Sequence, residues 1–256
     1  GYFWHGNSQS NKITAWSNDC LRDTPSEKLV FKIKNREINL LPYDSLEKYE
    51  IIYGFGYAKY IYEDEDFVIE TIIYVPIHQS KKVYQITITD KKEMNTKGEE
   101  MVDASLCYVF VPVLGVSREF TKKHIVIEKV DKDIVMKNRY RENYAEDDIY
   151  IKTSEQIKQY ECENNILNMS MSFSLKMEKK IQLEIGCKNN YISNKNILLV
   201  TEHEFQRYTL KEENFQDVKQ DEEELKFFWE EKMKRIKIDT PVESMNIMMN
   251  GLIWNI

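Results

Sequence analysis

Apolar and polar residues alternate with a period of two over much of the chain. The clearest case is the stretch 169–177, where Met, Phe and Leu alternate with Ser and Lys. This pattern predicts a strand with one buried face that includes Met177. We expect residues 181–185 to pair back onto this strand across a turn at 178–180. Similar patterns, or short runs that are apolar on both faces, predict strands at 29–33, 49–53, 57–62, 67–75, 83–89, 106–114, 125–127, 149–153 and 156–161.

This succession of strands predicts a mainly β fold, with about twelve strands in one large antiparallel domain. The acidic run 63–66 is typical of a solvated hairpin tip between two strands. The polar stretch 138–148 is expected to be an insertion between strands, where a plain loop and a ligand-contacting loop are both open.

Helical periodicity replaces the strand pattern near the end of the chain. Residues 221–235 carry an apolar stripe, with acidic residues at the start and basic residues at the end, as the helix dipole favours. A second apolar stripe at helical spacing consists of Met245, Met248, Met249, Leu252 and Ile253.

A capping box is predicted at the start of this second helix. Thr240 lies three residues before Glu243, and Pro241 suits the first helical position. The stripe grows stronger toward Ile256, so we expect it to be buried against a further part of the polypeptide. The predicted domains are a β domain over 1–200, a helical linker over 201–238 and, over 239–256, the first helix of a further domain.

Composition and charge limit the classes of partner. The net charge of −7 argues against nucleic acid or an anionic membrane surface as the main partner. No apolar run approaches the roughly 18 residues that predict a membrane span. No two cysteines have Cys-x-x-Cys spacing, and no histidine pairs with another ligand at metal spacing. We therefore expect reduced thiols, a cytoplasmic location and no metal site.

The first 26 residues are rich in Trp, Asn and Asp and show little periodicity. Trp rings stack on sugar faces, and Asn and Asp bond sugar hydroxyls, so a carbohydrate-binding surface is one interpretation. The alternative is a long ordered loop whose Asn and Asp close turns and whose Trp rings fill a core. The candidate sugar-binding residues are Trp4, Asn7, Trp16, Asn18 and Asp19.

No catalytic constellation can be recognised from spacing. No pair of carboxylates stands out as a general acid and base. The sequence contains no nucleophile elbow, no His-Glu-x-x-His, no phosphate-binding loop and no dinucleotide fingerprint. We therefore assign no catalytic residue and no metal ligand in this chain.

Four short motifs follow one another along the chain. They are Gly1-Tyr2-Phe3-Trp4 with Thr14-Ala15-Trp16-Ser17-Asn18-Asp19, Tyr53-Gly54-Phe55-Gly56-Tyr57, Ile73-Tyr74-Val75-Pro76, and Asp239-Thr240-Pro241 with Asn250-Gly251. Together they resemble the N-terminal module of glycoside hydrolase family 94, which comprises inverting phosphorylases of β-linked glucosides and the related region of cyclic β-1,2-glucan synthases. The sequence departs from the family pattern at Tyr53, where a His is usual, and at Ala15, where a Pro is usual.

The resemblance implies a β-supersandwich joined by a helical linker to an (α/α)6 catalytic barrel. It also implies that the general acid and the phosphate-binding residues lie in that barrel. Inorganic phosphate would then be a co-substrate of the intact enzyme, with no metal or organic cofactor. The implied partners are the barrel of the same polypeptide, a β-linked gluco-oligosaccharide and a second copy in a homodimer.

Three functions are consistent with these observations. We favour the non-catalytic N-terminal domain of a β-glucan or oligosaccharide phosphorylase. The alternatives are a stand-alone carbohydrate-binding module, which only the segment 1–26 supports, and a structural domain that supports dimerisation.

Overall fold

The structure, a computed structural model, describes residues 27–42, 48–54, 56–76, 81–92, 101–110, 125–138, 149–163, 166–187, 189–193, 205–209, 218–233 and 239–252. The chain divides into two compact units, residues 1–213 and residues 214–256. The described part of the first unit consists mainly of strands, and that of the second consists mainly of helices.

The first unit contains β1 Glu27–Ile33, β2 Arg36–Asn39, β3 Tyr49–Gly54, β4 Tyr57–Glu63, β5 Phe67–Tyr74, β6 Lys81–Asp90, β7 Val102–Phe110, β8 Ile125–Val130, β9 Asp133–Asn138, β10 Ile149–Thr153, β11 Ile157–Glu163, β12 Ile166–Leu175, β13 Glu178–Cys187, β14 Asn189–Ser193 and β15 Phe205–Thr209. The second unit contains two helices, α1 Val218–Met233 and α2 Glu243–Leu252.

Two large sheets dominate the first unit. One has five strands in the order β11-β12-β7-β1-β2, and the other has eight strands in the order β3-β4-β5-β6-β13-β10-β9-β8. The pair β14 and β15 forms a separate two-stranded sheet. Every neighbouring pair is antiparallel. The predicted mainly β, antiparallel fold followed by helices is confirmed.

The two large sheets pack face to face around a shared hydrophobic core. Residues at alternate positions of their strands are buried there, as the period of two predicts. The ring of Phe31 in the five-stranded sheet packs edge-on against Phe67 of the other sheet, with centroids 5.8 Å apart. Tyr84 and Tyr108 make a second contact of this kind at 6.2 Å. Burial of these apolar faces is the main force that holds the sheets together.

The two ends of this sandwich are distinguished by charged residues of the five-stranded sheet. At one end Glu27 begins β1 and lies opposite Phe110 of β7, and we call this the Glu27 end. At the other end β1 turns into β2, where Arg36 lies opposite Ile33, and we call this the Arg36 end. Each end carries a polar cluster that joins the two sheets.

The predicted pairing of β12 with β13 is wrong. β12 pairs with β7 and β11 in the five-stranded sheet, whereas β13 pairs with β6 and β10 in the eight-stranded sheet. Alternation along a strand reports which face is buried, and it carries no information on the sheet in which that strand pairs. The chain passes between the sheets at residues 176–177, so Met177 is 41% exposed instead of buried.

Other differences concern the limits of strands. β7 begins at Val102, earlier than predicted, because the polar Asp103 and Ser105 alternate with buried residues. The sequence pattern does not predict the hairpin of β14 and β15, whose second strand lies in the range expected to be a helical linker. Residues 111–114 and 139–148, expected to be a strand end and part of the polar insertion, lie outside the described residues.

Helix α2 begins in a different way from the predicted capping box. The carbonyl of Val242 accepts hydrogen bonds from the backbone N–H groups of Met245 and Asn246, so Glu243 is the first helical residue. Asn246 reaches back instead: its Nδ2 donates to the carbonyl of Thr240 at 2.9 Å, and its Oδ1 accepts from the Thr240 N–H at 2.7 Å. The amide of Asn246 thus takes the role expected of the Glu243 carboxylate.

Helix α2 exposes much of its apolar surface. Met245 and Met248, two residues of the predicted stripe, are exposed, and so is the neighbouring Ile247. Ile253, the last residue of the stripe, lies outside the described residues. Exposed apolar side chains of this size are typical of a surface that packs against another part of a protein.

A polar cluster joins the two sheets at the Arg36 end. Arg36 of β2 forms ion pairs with Asp64 and, at 2.5 Å, with Asp66 in the connection between β4 and β5. Its guanidinium lies 5.3 Å from the centroid of the Phe67 ring. The Tyr62 hydroxyl and the backbone N–H groups of Asp66 and Phe67 donate hydrogen bonds to Asp64. The acidic run 63–66 is a hairpin tip with Glu63 and Glu65 exposed, as predicted, but Asp64 and Asp66 contact the other sheet instead of being solvated.

These contacts set the protonation of two groups. Burial by itself raises the pKa of Asp64, but hydrogen bonds from Tyr62, from two backbone N–H groups and from Arg36 outweigh burial and hold this pKa well below its usual range. Burial and the Asp64 carboxylate raise the pKa of Tyr62 to about 12. Asp64 is therefore ionised and Tyr62 is a hydrogen-bond donor at neutral pH.

We predict that the charge of Asp64 stabilises the fold above about pH 4 and that this contribution is lost as the pH falls further. The pKa of Asp64 is about 3.9 in an unfolded chain and is lower in the folded one, so acid removes a charge that only the folded state stabilises. The variant Asp64→Asn should unfold more easily at pH 7 and should lose less further stability on acidification. Urea unfolding at several pH values measures both effects. Glu161→Gln on the exposed strand β11 is the control, and an equal acid response of the two variants would contradict the prediction.

We predict that two methionines near opposite ends of the stretch 169–177 differ strongly in their contribution to stability. Met171 is 0% exposed, whereas Met177 is 41% exposed. Met171→Ala should lower the free energy of unfolding by about 2–5 kcal/mol, because it removes buried contacts and leaves a cavity. Met177→Ala should change this free energy by less than about 0.5–1 kcal/mol. Equal losses in urea unfolding would show that the boundary of β12 is misplaced.

Candidate functional site

The residues predicted to bind sugar all precede the first described strand. Trp4, Asn7, Trp16, Asn18 and Asp19 lie outside the described residues, so their role stays a prediction. The described chain begins with Glu27, which the sequence analysis did not single out.

A buried ionic cluster surrounds Glu27. Its carboxylate accepts a hydrogen bond from Lys82 Nζ of β6 at 2.5 Å and another from the Tyr108 hydroxyl of β7 at 2.5 Å. Glu27 is 3% exposed and Lys82 is 5% exposed. Lys82 Nζ also lies 4.8 Å from the centroid of the Tyr84 ring. The cluster therefore links the five-stranded sheet to the eight-stranded sheet through charges that are out of reach of water.

Protonation in this cluster follows from its burial. Burial and the Glu27 carboxylate raise the pKa of the Tyr108 hydroxyl well above its usual value, so Tyr108 stays protonated and donates a hydrogen bond to Glu27. The Tyr108 ring is stacked on Phe110 and meets Tyr84 edge-on, and these contacts hold the hydroxyl in place. Among the described residues, one cation and one hydroxyl thus contact the Glu27 carboxylate.

A second buried pair lies one residue earlier on β6. Lys81 Nζ is 3.4 Å from Glu184 Oε1 of β13, and Gln182 Nε2 donates to the same oxygen at 2.8 Å. All three side chains are buried, and they lie on the opposite face of β6 from Lys82, since successive residues of a strand point to opposite faces. Both faces of β6 near its first residue therefore carry a buried lysine.

The charged groups of both clusters are arranged as buried ion pairs. In both pairs a cation faces a carboxylate, and a neighbouring hydroxyl or amide completes the contacts, which is typical of a buried ion pair. Neither pair includes a histidine or a thiol, and Cys107, elsewhere in the five-stranded sheet, is a free thiol whose pKa is raised by burial. Among the described residues no group of three or more His, Cys, Asp or Glu is placed to hold a metal ion. No helix in this part of the chain is long and apolar enough to cross a membrane.

The glycine motif between β3 and β4 has a steric reason. A Cβ at Gly54 would overlap the ring of Tyr57, and Gly56 has a φ of 80°, which side chains other than glycine's rarely adopt. Tyr53 is 64% exposed beside this turn. The motif is therefore a sharp hairpin turn, as the sequence predicts, and not a phosphate-binding loop.

The larger part of the chain matches a known protein family. Residues 1–166 match the family described as glycosyl hydrolase 94, supersandwich domain. The chain belongs to this family. The resemblance found in the sequence motifs is thereby confirmed, and the two large sheets are the β-supersandwich of a glycosyl hydrolase 94 protein.

Several solved structures share similarity with this supersandwich chain. A protein assigned as a kojibiose phosphorylase from the human microbiome has 10% identity and a TM-score of 0.38, over 89% of this chain and 27% of that one. A 4-alpha-glucanotransferase from Thermococcus litoralis has 13% identity and a TM-score of 0.35, over 64% and 27% of the two chains. An aldose 1-epimerase assignment from Escherichia coli K12 has 8% identity and a TM-score of 0.35, over 62% and 78%. No curated protein matches the chain.

We predict that Glu27 is essential for stability because it neutralises Lys82. Glu27→Gln should lower the free energy of unfolding by about 3–5 kcal/mol, since it removes one partner of a buried ion pair. The double variant Glu27→Gln, Lys82→Met should recover part of this loss, because it also removes the buried charge. Urea unfolding measures both.

The matched control is Glu37→Gln, which removes a carboxylate from the exposed pair of Lys32 and Glu37. This variant should unfold close to the parent chain, because exposed ion pairs contribute little. A Glu27→Gln variant as stable as Glu37→Gln would contradict the structural role of the cluster.

Proposed function

We propose that this supersandwich is the non-catalytic N-terminal domain of an inverting phosphorylase that acts on β-linked gluco-oligosaccharides. Membership of the glycosyl hydrolase 94 supersandwich family over residues 1–166 is the observation that carries the proposal. In the intact enzyme, phosphate would attack the anomeric carbon with inversion and release a sugar 1-phosphate. That chemistry would take place in a catalytic barrel encoded in the same polypeptide.

The charges of the described residues support a scaffold role. In the Glu27 cluster and in the Arg36 cluster, a cation of one sheet forms an ion pair with a carboxylate of the other sheet. Groups committed in this way are poor candidates for proton transfer to a substrate, because a general acid or base must be able to change its charge. This supports the proposal that the chemistry takes place in another domain.

Helix α2 supports a partner domain. Met245, Ile247 and Met248 are exposed on this helix, and Val242 just before it is exposed as well. The proposed occupant of this apolar surface is the catalytic barrel that the sequence analysis expects to follow. The supersandwich would then position the barrel, and the enzyme would work as a cytoplasmic homodimer.

We predict that the purified chain has no phosphorolytic activity. Incubation with β-1,2-linked gluco-oligosaccharides and inorganic phosphate should release no glucose 1-phosphate above background, because the general acid and phosphate ligands are assigned to the barrel. A chain extended through the adjoining coding sequence, assayed in parallel, should release it. Release of glucose 1-phosphate by the 256-residue chain alone would refute the proposal.

The alternative function is a stand-alone carbohydrate-binding module. Its support is the composition of residues 1–26, with Trp4 and Trp16 among Asn and Asp. Calorimetric titration of the chain with β-linked gluco-oligosaccharides separates the two functions, since a module binds sugar by itself. Saturable binding that Trp16→Ala abolishes would favour the module over the scaffold.

A further inference from the structure

An open groove lies on the outer face of the five-stranded sheet. Its volume is about 510 Å³, within the range of about 300–1,000 Å³ for small-molecule sites. The floor is formed by small polar side chains of the adjacent strands β7 and β12, namely Ser105, Ser172 and Ser174. Serine hydroxyls both donate and accept hydrogen bonds, so this floor suits a ligand rich in hydroxyl groups.

Lysines come to this floor from both sides. Lys32 and Lys34 come from β1 and the hairpin that follows it, and Lys158 comes from β11 on the far side of β12. Lys32 pairs with Glu37 at 2.6 Å. Lys34 and Lys158 have no ion-pair partner among the described residues, so their charges are available to a ligand.

Two departures from regular backbone geometry occur at these unpaired lysines. Lys34 is the first residue of the two-residue hairpin between β1 and β2 and has a φ of 51°, as such turns require; Asp131 has a φ of 55° at the same place between β8 and β9. Lys158 lies in an irregularity of β11 between Ile157 and Gln159, where the register against β12 shifts. Bulges of this kind redirect a side chain. The hairpin and the bulge thus place two of the lysines that line the groove.

The charge of the groove is opposite to that of the whole chain. Three ammonium groups line it against one carboxylate, Asp103, whose Oδ1 lies 3.4 Å from Ser174 Oγ. The chain as a whole has a net charge of −7. A phosphate monoester carries a charge of about −1.5 to −2 at pH 7 and offers three oxygen acceptors. Its charge therefore matches the two unpaired lysines.

We propose that this groove binds a sugar phosphate. The phosphate contacts the ammonium groups of Lys34 and Lys158, and the sugar hydroxyls bond to the serine floor and to Asp103. The anionic class of ligand follows from the groove alone. The choice of glucose 1-phosphate rests on the proposed function, because glucose 1-phosphate would be the product of the proposed phosphorolysis. Because the groove is open to water, affinity is modest and falls with added salt.

The test is a titration of the full 256-residue chain with glucose 1-phosphate, followed by NMR chemical shifts or calorimetry. Glucose, inorganic phosphate and glucose 6-phosphate are titrated in parallel. We expect saturable binding of the sugar phosphates, weaker binding of inorganic phosphate and none of glucose. In the double variant Lys34→Gly, Lys158→Ala, affinity should fall at least tenfold. Glycine suits the left-handed backbone at position 34, so this variant should fold as the parent does.

The matched control is Lys132→Ala, because Lys132 is an exposed lysine in the two-residue hairpin between β8 and β9. It should bind glucose 1-phosphate as the parent does. The proposal is overturned if no sugar phosphate binds, if the double variant binds unchanged, or if Lys132→Ala weakens binding equally. Phosphorolysis by the extended polypeptide is a separate measurement, so the proposed function can fail while lysine-dependent binding of sugar phosphates stands, and the reverse.

Discussion

The ion pair between Glu27 and Lys82 is the contact on which the arrangement of the two sheets depends. Apolar faces attract each other without a preferred direction, so the burial of aromatic and aliphatic side chains tolerates small shifts of one sheet over the other. A buried ion pair does not, because separating its partners leaves charges out of water with no compensation. The Tyr108 hydroxyl restricts the pair further, since it must reach the same carboxylate. Sheet packing and charge pairing are therefore satisfied in one relative position.

The ionic clusters at the two ends of the sandwich both join the sheets, but they differ in their exposure to solvent. At the Glu27 end the charges are buried, so salt screens their interaction much less than that of exposed charges. At the Arg36 end the guanidinium is partly exposed and shares two carboxylates, so screening and protonation act on it. Each cluster joins residues of one sheet to residues of the other. The supersandwich is thus fixed at two separated points, which agrees with the scaffold role proposed above.

The fold class was accessible from sequence because period-two alternation is a local property. Alternation and short apolar runs predict eleven of the strands from β1 to β13, but neither β2 nor β9. Extending two of the patterns backward by two residues places Glu27 and Lys82 on buried faces. Alternation does not show which strands pair with each other or which side chains meet across the core. It could not show that β12 and β13 belong to different sheets, since both bury one face in the same core. It also could not show that Glu27 meets Lys82, because that contact depends on how two sheets are placed across the core.

The groove illustrates the same limit at the level of function. Lys34 and Lys158 are far apart in the sequence, and only the strand order β11-β12-β7-β1-β2 brings them to one surface. Alternation does require polar residues on the outer face of this sheet, so the serines alone would mean little. A solvated face, however, does not require short and long side chains to lie on particular strands. Here the short side chains occupy the adjacent strands β7 and β12 while lysines come from the strands on either side, and this ordering turns a flat polar face into a concave one with a charge opposite to that of the chain.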